Sequence, residues 1–394
     1  FFLHFYDYSY HSKKKKGRRF NFSQSLDINN RFNDYSTEST LQYIYPTPYD
    51  SITSQLRMER IPRTDAAASF NYSEPLSKLM TLRVGGRYEY SQLYNTVNTF
   101  NKDAATEKYD ILNPELSSRF KRIGNRVMLS PGMEFKWKKW TITPGLRVLM
   151  QSFDNRLASM PASITQKQND LLPSLGIVYK KINFSYSKDI VMPGYMSLIP
   201  VTDNTNPYLI VKGNTELKPI ERNNFWLNYN YNNTKSNLYA NVYANGSLTN
   251  NDVVQSVTVD AQGVQTTMPV NADGSRNFYV NFNLNKQYKQ NPKLIISWNV
   301  GGGYNYTRNR LFYNNAASLQ NTFNLYNWAS LNLNFNDKVE FNTSVSKGNN
   351  FTRYTSENFR KVNIHSMWIE NELIVRWPKH FIWESTINYD YNSN

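Results

Sequence analysis

The chain has 394 residues, no cysteine, 15% aromatic residues (29 Tyr and 22 Phe among them) and a formal net charge of +15. No uninterrupted apolar run approaches the roughly 18 to 20 residues that a membrane-spanning helix needs, so a helical membrane protein is excluded. Low mean hydropathy leaves a transmembrane β-barrel open, because its strands need only about 10 residues of alternating polarity. The absence of Cys fits a chain that crosses an oxidising compartment without forming disulfides. The charge invites a nucleic-acid reading. Outside Lys13-Lys14-Lys15-Lys16-Gly17-Arg18-Arg19, however, Lys and Arg are scattered, and no aromatic recognition motif accompanies them. No nucleic acid is expected as a partner.

The chain opens on Phe1-Phe2-Leu3-His4-Phe5-Tyr6, already strand-like, and closes on Tyr389-Asp390-Tyr391. The expectation is an internal segment of a longer precursor, so missing targeting signals count neither way. Between the ends the periodicity is two. Met80, Leu82, Val84, Tyr88 and Tyr90 oppose Thr81, Arg83, Gly85, Arg87 and Glu89. Phe225, Leu227, Tyr229 and Tyr231 oppose Asn224, Asn228 and Asn230; Phe278, Val280, Phe282 and Leu284 oppose Asn277, Tyr279, Asn281, Asn283 and Asn285. The pattern continues through 323–335 and 367–377. Such alternation marks strands with one apolar and one polar side. The polar side carries opposed charges and many Asn, which suits a wet lumen, so the apolar side is assigned to lipid.

Connections decide between this barrel and a soluble sandwich. Short turns at 73–78, 136–139, 180–181, 232–235, 289–292, 336–338 and 378–380 alternate with long loops at 33–61, 94–117, 153–170, 190–222, 247–275, 309–318 and 349–359. Putting every long loop at one end is the habit of outer-membrane barrels, with short periplasmic turns and long extracellular loops. Counting by this rule gives an all-β, transmembrane antiparallel β-barrel with about 16 strands seen. The run 13–19 then falls at a periplasmic turn. Parity requires an odd number of further strands on each side, and three on each side predict a barrel of about 22 strands. The expected organisation is one barrel domain over 1–394, incomplete, with plug, first strands and last strands outside it.

Three segments resemble the outer membrane β-barrel family related to TonB-dependent receptors. The hairpin Ala67-Ala68-Ser69-Phe70-Asn71-Tyr72-Ser73-Glu74-Pro75-Leu76 is similar to that family's short-turn hairpin, and Leu171-Leu172-Pro173-Ser174-Leu175 to the start of its following strand pair. Most specific are Asn206-Pro207 and then Gly213-Asn214-Thr215-Glu216-Leu217-Lys218-Pro219, which resemble the family segment leading from an extracellular loop into the next downward strand. Thr215 stands where Pro is usual and Ile220 where Glu is usual. The resemblance implies an outer-membrane location in a Gram-negative bacterium. It also implies a plug, coupling to TonB through that plug, and about three more strands after residue 394.

The residues themselves form no catalytic constellation, and neither an enzyme, a metal site nor a cofactor is expected. His4, His11, His365 and His380 lack metal-ligand spacing, and there is no nucleophile elbow. His365 is in phase with Met367 and Ile369 and reads as an interfacial ring. Gly301-Gly302-Gly303 lacks the helix and Lys-Ser/Thr of a phosphate loop, and is read as permitting curvature or close backbone approach. Arg83, Arg87, Glu89, Glu370, Glu372 and Arg376 are assigned to the lumen, either as cargo contacts or as a structural ladder. Trp137, Trp140, Trp377 and Trp383 beside short turns read as an interfacial girdle. Specificity is expected in loops. Tyr195, Met196 and Tyr208 lie in a loop stiffened by Pro193, Pro200 and Pro207, and Val264 lies in a β-hairpin projecting around residues 260–263.

Two functions fit. One is an energised importer, with cargo held by extracellular loops and plug. The other is a non-transporting structural barrel subunit of an outer-membrane assembly or secretion complex. Expected partners are outer-membrane lipid and lipopolysaccharide, a surface lipoprotein or other outer-membrane subunits, and TonB.

Overall fold

A strand crossing hydrocarbon must pair its backbone on both edges, because no water is there to do it. The computed structural model describes every residue except 44–47, 159–162, 200–202, 207, 292, 379 and 394. Its described residues form, in chain order, β1 (Phe2–His11), β2 (Arg19–Tyr43), β3 (Tyr49–Pro75), β4 (Met80–Lys102), β5 (Tyr109–Leu112), β6 (Ser118–Trp137), β7 (Trp140–Leu157), β8 (Ile164–Tyr179) and β9 (Ile182–Val191). A one-turn helix α1 (Tyr195–Leu198) is followed by β10 (Asp203–Asn206), β11 (Leu209–Val211), β12 (Ile220–Asn233), β13 (Leu238–Asn250), β14 (Asp252–Val259) and β15 (Gln265–Ala272). The remainder is β16 (Ser275–Asn291), β17 (Leu294–Tyr313), β18 (Ala316–Phe335), β19 (Val339–Tyr354), β20 (Val362–Val375) and β21 (Trp383–Asn392).

Setting aside the five short loop strands (β5, β10, β11, β14 and β15) from these 21 leaves sixteen, the number read from the sequence. Each of the sixteen pairs antiparallel with the next, in one uninterrupted meander from β1 to β21. Among the described residues this wall does not close on itself.

Register keeps the two faces separate across the wall. Asn230 sits opposite Asn241, Asn241 opposite Asn283, Asn283 opposite Gly301, and Gly301 opposite Trp328. On the other face Val242 meets Phe282. A slip of one residue would bring the asparagines to lipid, so the period-two pattern itself selects the register. Phe282, Val300 and Leu325 stay exposed because lipid, not protein, covers that face.

The short ends are tight. Trp137 pairs with Trp140 across Lys138-Lys139, and Lys138, Lys180 and Asn336 take positive φ. Much of the long-loop end is strand where loop is expected: within 94–117 β4 runs on to Lys102, and within 153–170 β7 runs to Leu157 and β8 begins at Ile164. Within 33–61, residues 33–43 and 49–61 are strand, with β2 and β3 in unbroken register from Arg19↔Ser73 to Tyr43↔Tyr49. Strands of 25 and 27 residues far exceed the roughly 10 that cross a bilayer, so this hairpin stands well above it. Residues 309–318 are a tight hairpin closed by Asn314-Asn315, both at positive φ as a type I′ turn requires. Within 349–359, β19 continues to Tyr354. Outside the membrane neither face meets lipid. Sequences such as Asn33-Asp34-Tyr35-Ser36-Thr37-Glu38 therefore lose the alternation and read as loop while pairing as strand.

Two clusters of buried apolar residues are present among the described residues, one joining the wall to the chain after β9 and one within the wall itself. One contains Ile61, Leu93, Phe120, Leu157 and Ile199, with Tyr195 packed on it. The other contains Leu149, Leu172 and Ile190 with Met128.

Candidate functional site

On the polar face of the wall Phe120 sits opposite Leu157, and Leu93 opposite Arg122, so Leu93 is the diagonal neighbour of Phe120. Apolar side chains on a wet wall need a cover, and the loop after β9 supplies it by folding inward. Tyr195 stacks on Phe120 with centroids 6.1 Å apart, and Leu198 and Ile199 are buried. The Ile199 N–H donates to the Tyr195 carbonyl at 3.2 Å, holding the helical turn. Beside it Arg122 is 8% exposed. Its guanidinium lies 4.2 Å from the Phe153 ring centroid and donates to the Pro193 carbonyl at 3.1 Å. A desolvated cation over a ring contributes about 2 kcal/mol, so Arg122 is a strong tie between wall and loop. Glu59, also buried, accepts from Asn33 at 3.0 Å and Asn95 at 2.7 Å.

The segment from Gly213 to Pro219 locks this loop to the next. A Cβ on Gly213 would lie 2.0 Å from the Ile199 carbonyl oxygen, so only glycine permits the approach. The Asn214 N–H donates to the Ser197 carbonyl at 2.7 Å and its side chain to the Pro269 carbonyl at 3.0 Å. Leu217 is buried. The Lys218 N–H donates to Asn271 at 2.7 Å. β11 pairs parallel with β15, β15 with β14, and β14 parallel with the tip of β17. The expected hairpin around residues 260–263 is present, bridging the inward loop to the far wall. A cavity of about 680 Å³ lies between loop and wall. Arg63, Asp65, Arg87, Glu89, Arg122 and Arg126 give it opposed charges, and Met192 to Tyr195 form one side.

Of the residues proposed from sequence, Tyr195 faces inward, while Met196 and Tyr208 are each 60% exposed. Val264 is half-buried. Asn206 is exposed and accepts from the Tyr208 N–H at 2.9 Å. Pro219 is half-buried; Pro200 and Pro207 lie outside the described residues. Arg83 pairs with Glu134, Arg87 with Glu89, and Arg126 with Glu89 at 3.5 Å, a ladder of opposed charges along the polar face of β4 and β6. Across the barrel Glu372 accepts from Asn342 at 2.7 Å, Arg376 pairs with Glu340 at 3.3 Å, and Glu370 sits opposite Ser344. Trp137 and Trp377 are 61% exposed at the short-turn end, with Trp140 and Trp383 beside them.

Sequence reasoning missed Arg122, Phe120, Phe153 and Glu59. A signal exists: Phe120, Arg122, Arg126, Ser130 and Glu134 share one phase of β6, though that phase mixes apolar and charged residues and so carries no clean alternation. At glycines 301–302 the approach is to side chains and to backbone: a Cβ on Gly301 would meet the Trp328 indole at 2.6 Å, and one on Gly302 would meet the Asn327 side chain at 2.6 Å and the Tyr326 carbonyl oxygen at 3.0 Å.

Among solved structures the chain is similar to the copper transporter OprC, at 10% identity with a TM-score of 0.47, covering 93% of this chain and 65% of that one. It is similar to the ferric citrate transporter FecA in its unliganded form, at 10% identity and TM-score 0.47, covering 99% of this chain and 61% of that one. It is also similar to P. aeruginosa FpvA bound to heterologous pyoverdines, at 11% and 0.47, covering 95% and 50%. The chain thus spans between half and two thirds of the length of these three structures. No curated protein matches it in sequence. The profile of the outer membrane protein beta-barrel family matches residues 11–369. An antiparallel wall with a lipid face, a polar lumen face and that match establish the chain as a member of the outer membrane protein beta-barrel family, residing in the Gram-negative outer membrane.

Proposed function

We propose that this barrel is the wall of a TonB-dependent-receptor-like importer that takes up a nutrient or macromolecular fragment in an energised step. One observation carries the reading. The loop between β9 and β12 folds into the lumen and is fastened there by Arg122, Gly213 and Asn214, around a charged cavity of about 680 Å³. An importer needs a place to hold cargo before it is admitted, and a pocket with converging charged groups is of that kind. Exposed Met196 and Tyr208 offer apolar contacts for cargo or a surface lipoprotein. A plug and its link to TonB would supply the gate and the force.

The test is a deletion strain grown on single nutrients, beside purification of the full chain from native membranes. Loss of growth on one nutrient, with the same loss when TonB is inactivated, is the expected result. Normal growth on every nutrient, with the barrel recovered in a stable complex with other outer-membrane subunits, would replace transport by the structural role.

A further inference from the structure

The net charge of +15 is unevenly placed. The connections at the short-turn end, from 12–18 through 336–338, each contain lysine, and Asp337 is the one acidic residue in those seven segments. The long loops mix signs, as in Asp103 with Lys108 or Glu357 with Arg360. Adjacent turns are hydrogen-bonded into a continuous rim. The Lys180 N–H donates to the Lys139 carbonyl at 3.4 Å, Gln287 to Asn237 at 3.1 Å, and Asn336 to Lys293 at 2.9 Å.

Several lysines of this rim do not extend into the periplasm. The ammonium groups of Lys138, Lys180, Lys181 and Lys286 lie over the rings of Trp137, Tyr179, Tyr231 and Tyr288, at 5.0, 5.2, 4.2 and 4.8 Å from the centroids. Trp140 stacks on Tyr179 at 4.2 Å, joining the rings of two neighbouring turns. Lys286 is in phase with Val280, Phe282 and Leu284, so its stem starts on the lipid face, and its ammonium donates to the Ser236 carbonyl at the rim. A charge on that face is tolerated where it can snorkel to the interface.

We propose that the short-turn rim is a binding site for anionic phospholipid headgroups. Lys138, Lys180, Lys181 and Lys286 supply the cations, and Trp137, Tyr179, Tyr231 and Tyr288 hold them at headgroup depth. An ammonium over a ring keeps N–H donors directed away from the ring, which a phosphodiester oxygen accepts, while the acyl chains follow the apolar face above. A lipid fits better than an acidic periplasmic protein for two reasons. The cations are folded onto lipid-facing rings, and they are spread around the perimeter where headgroups are, with no single patch for a protein to cover.

The test uses the full chain, delipidated in neutral detergent and titrated with phosphatidylglycerol, phosphatidylethanolamine or inorganic phosphate, with bound lipid counted by native mass spectrometry. Phosphatidylglycerol should bind at least about tenfold more tightly than phosphatidylethanolamine, with roughly fivefold loss of affinity per charge removed. The K138Q/K180Q/K181Q/K286Q variant should lose this preference, while the matching Lys→Arg variant keeps it. Equal binding of the two lipids, or full preference in the Gln variant, would overturn the site. So would competition by inorganic phosphate alone at equal concentration, or a requirement for a co-purified acidic protein. If the Gln variant does not fold, as judged by heat-modifiable migration, the wild-type preference must still vanish above about 1 M salt, where the Debye length is roughly 3 Å; persistence there overturns it as well.

Discussion

At the scale of single residues, the mouth depends on contacts that admit one side chain each. Gly213 approaches the Ile199 carbonyl so closely that Gly213→Ala should destabilise the inward loop by about 1–3 kcal/mol, the usual cost of an added methyl in packed surroundings. Limited proteolysis should then cut within 192–219 at least several times faster while the barrel keeps its heat-modifiable migration. An unchanged cutting rate would show that the loop is not held there. Glu38, near the tip of the tall hairpin and outside the bilayer, is held below the ordinary carboxylate range by the Tyr109 hydroxyl at 2.6 Å and then by the Lys102 charge. A carboxylate depressed on folding adds stability above its unfolded value of about 4.3, and that stability is lost as pH falls through the lower folded value. Hydrogen exchange around Tyr109, normalised to the intrinsic amide rate at each pH, should therefore be flat from neutral pH to about 5 and rise below about 4. In Glu38→Gln that rise should be absent. The effect is small, since Glu38 is exposed.

At the scale of elements, β2 and β3 behave as two structures in series. Their lower portions belong to the wall and their upper portions stand in water, paired with each other. Removing 36–54 and rejoining the hairpin should leave folding and heat-modifiability unchanged, because no lipid-facing position is lost. Removing the same length from the lower portions should abolish insertion. Equal damage from both deletions would mean that the upper portion is needed to nucleate the wall. The loop hairpin β14–β15 is a contrasting case: parallel pairs on both sides tie it to β11 and β17, so it links the inward loop to the wall at β17.

For the whole molecule, the dominant constraint is the backbone at the two ends of the ladder. β1 pairs with β2 and β21 with β20, and among the described residues neither has a second partner. In hydrocarbon each unpaired N–H or C=O costs several kcal/mol, so in the membrane each of these edges must find a partner strand. A polypeptide of residues 1–394 should therefore yield no heat-modifiable monomer in bilayers unless further strands are supplied. A stable monomer from these residues by themselves would show that β1 and β21 pair with each other.

The wall was legible because lipid imposes alternation residue by residue. Positions such as Phe278, Val280, Phe282 and Leu284 against Asn281, Asn283 and Asn285 state their faces without any partner in view, and strand number and the orientation of the turns follow. The Gly213-Asn214 segment was visible as a motif, though its role as a staple was not. What only the tertiary structure decided lies outside the hydrocarbon. There a strand needs no apolar face, so the upper hairpin of β2 and β3 carries no periodic mark. A loop can turn outward or inward with the same composition. Its inward course depends on Leu93, Phe120, Arg122 and Leu157, residues from different strands that become one surface only when register brings them side by side.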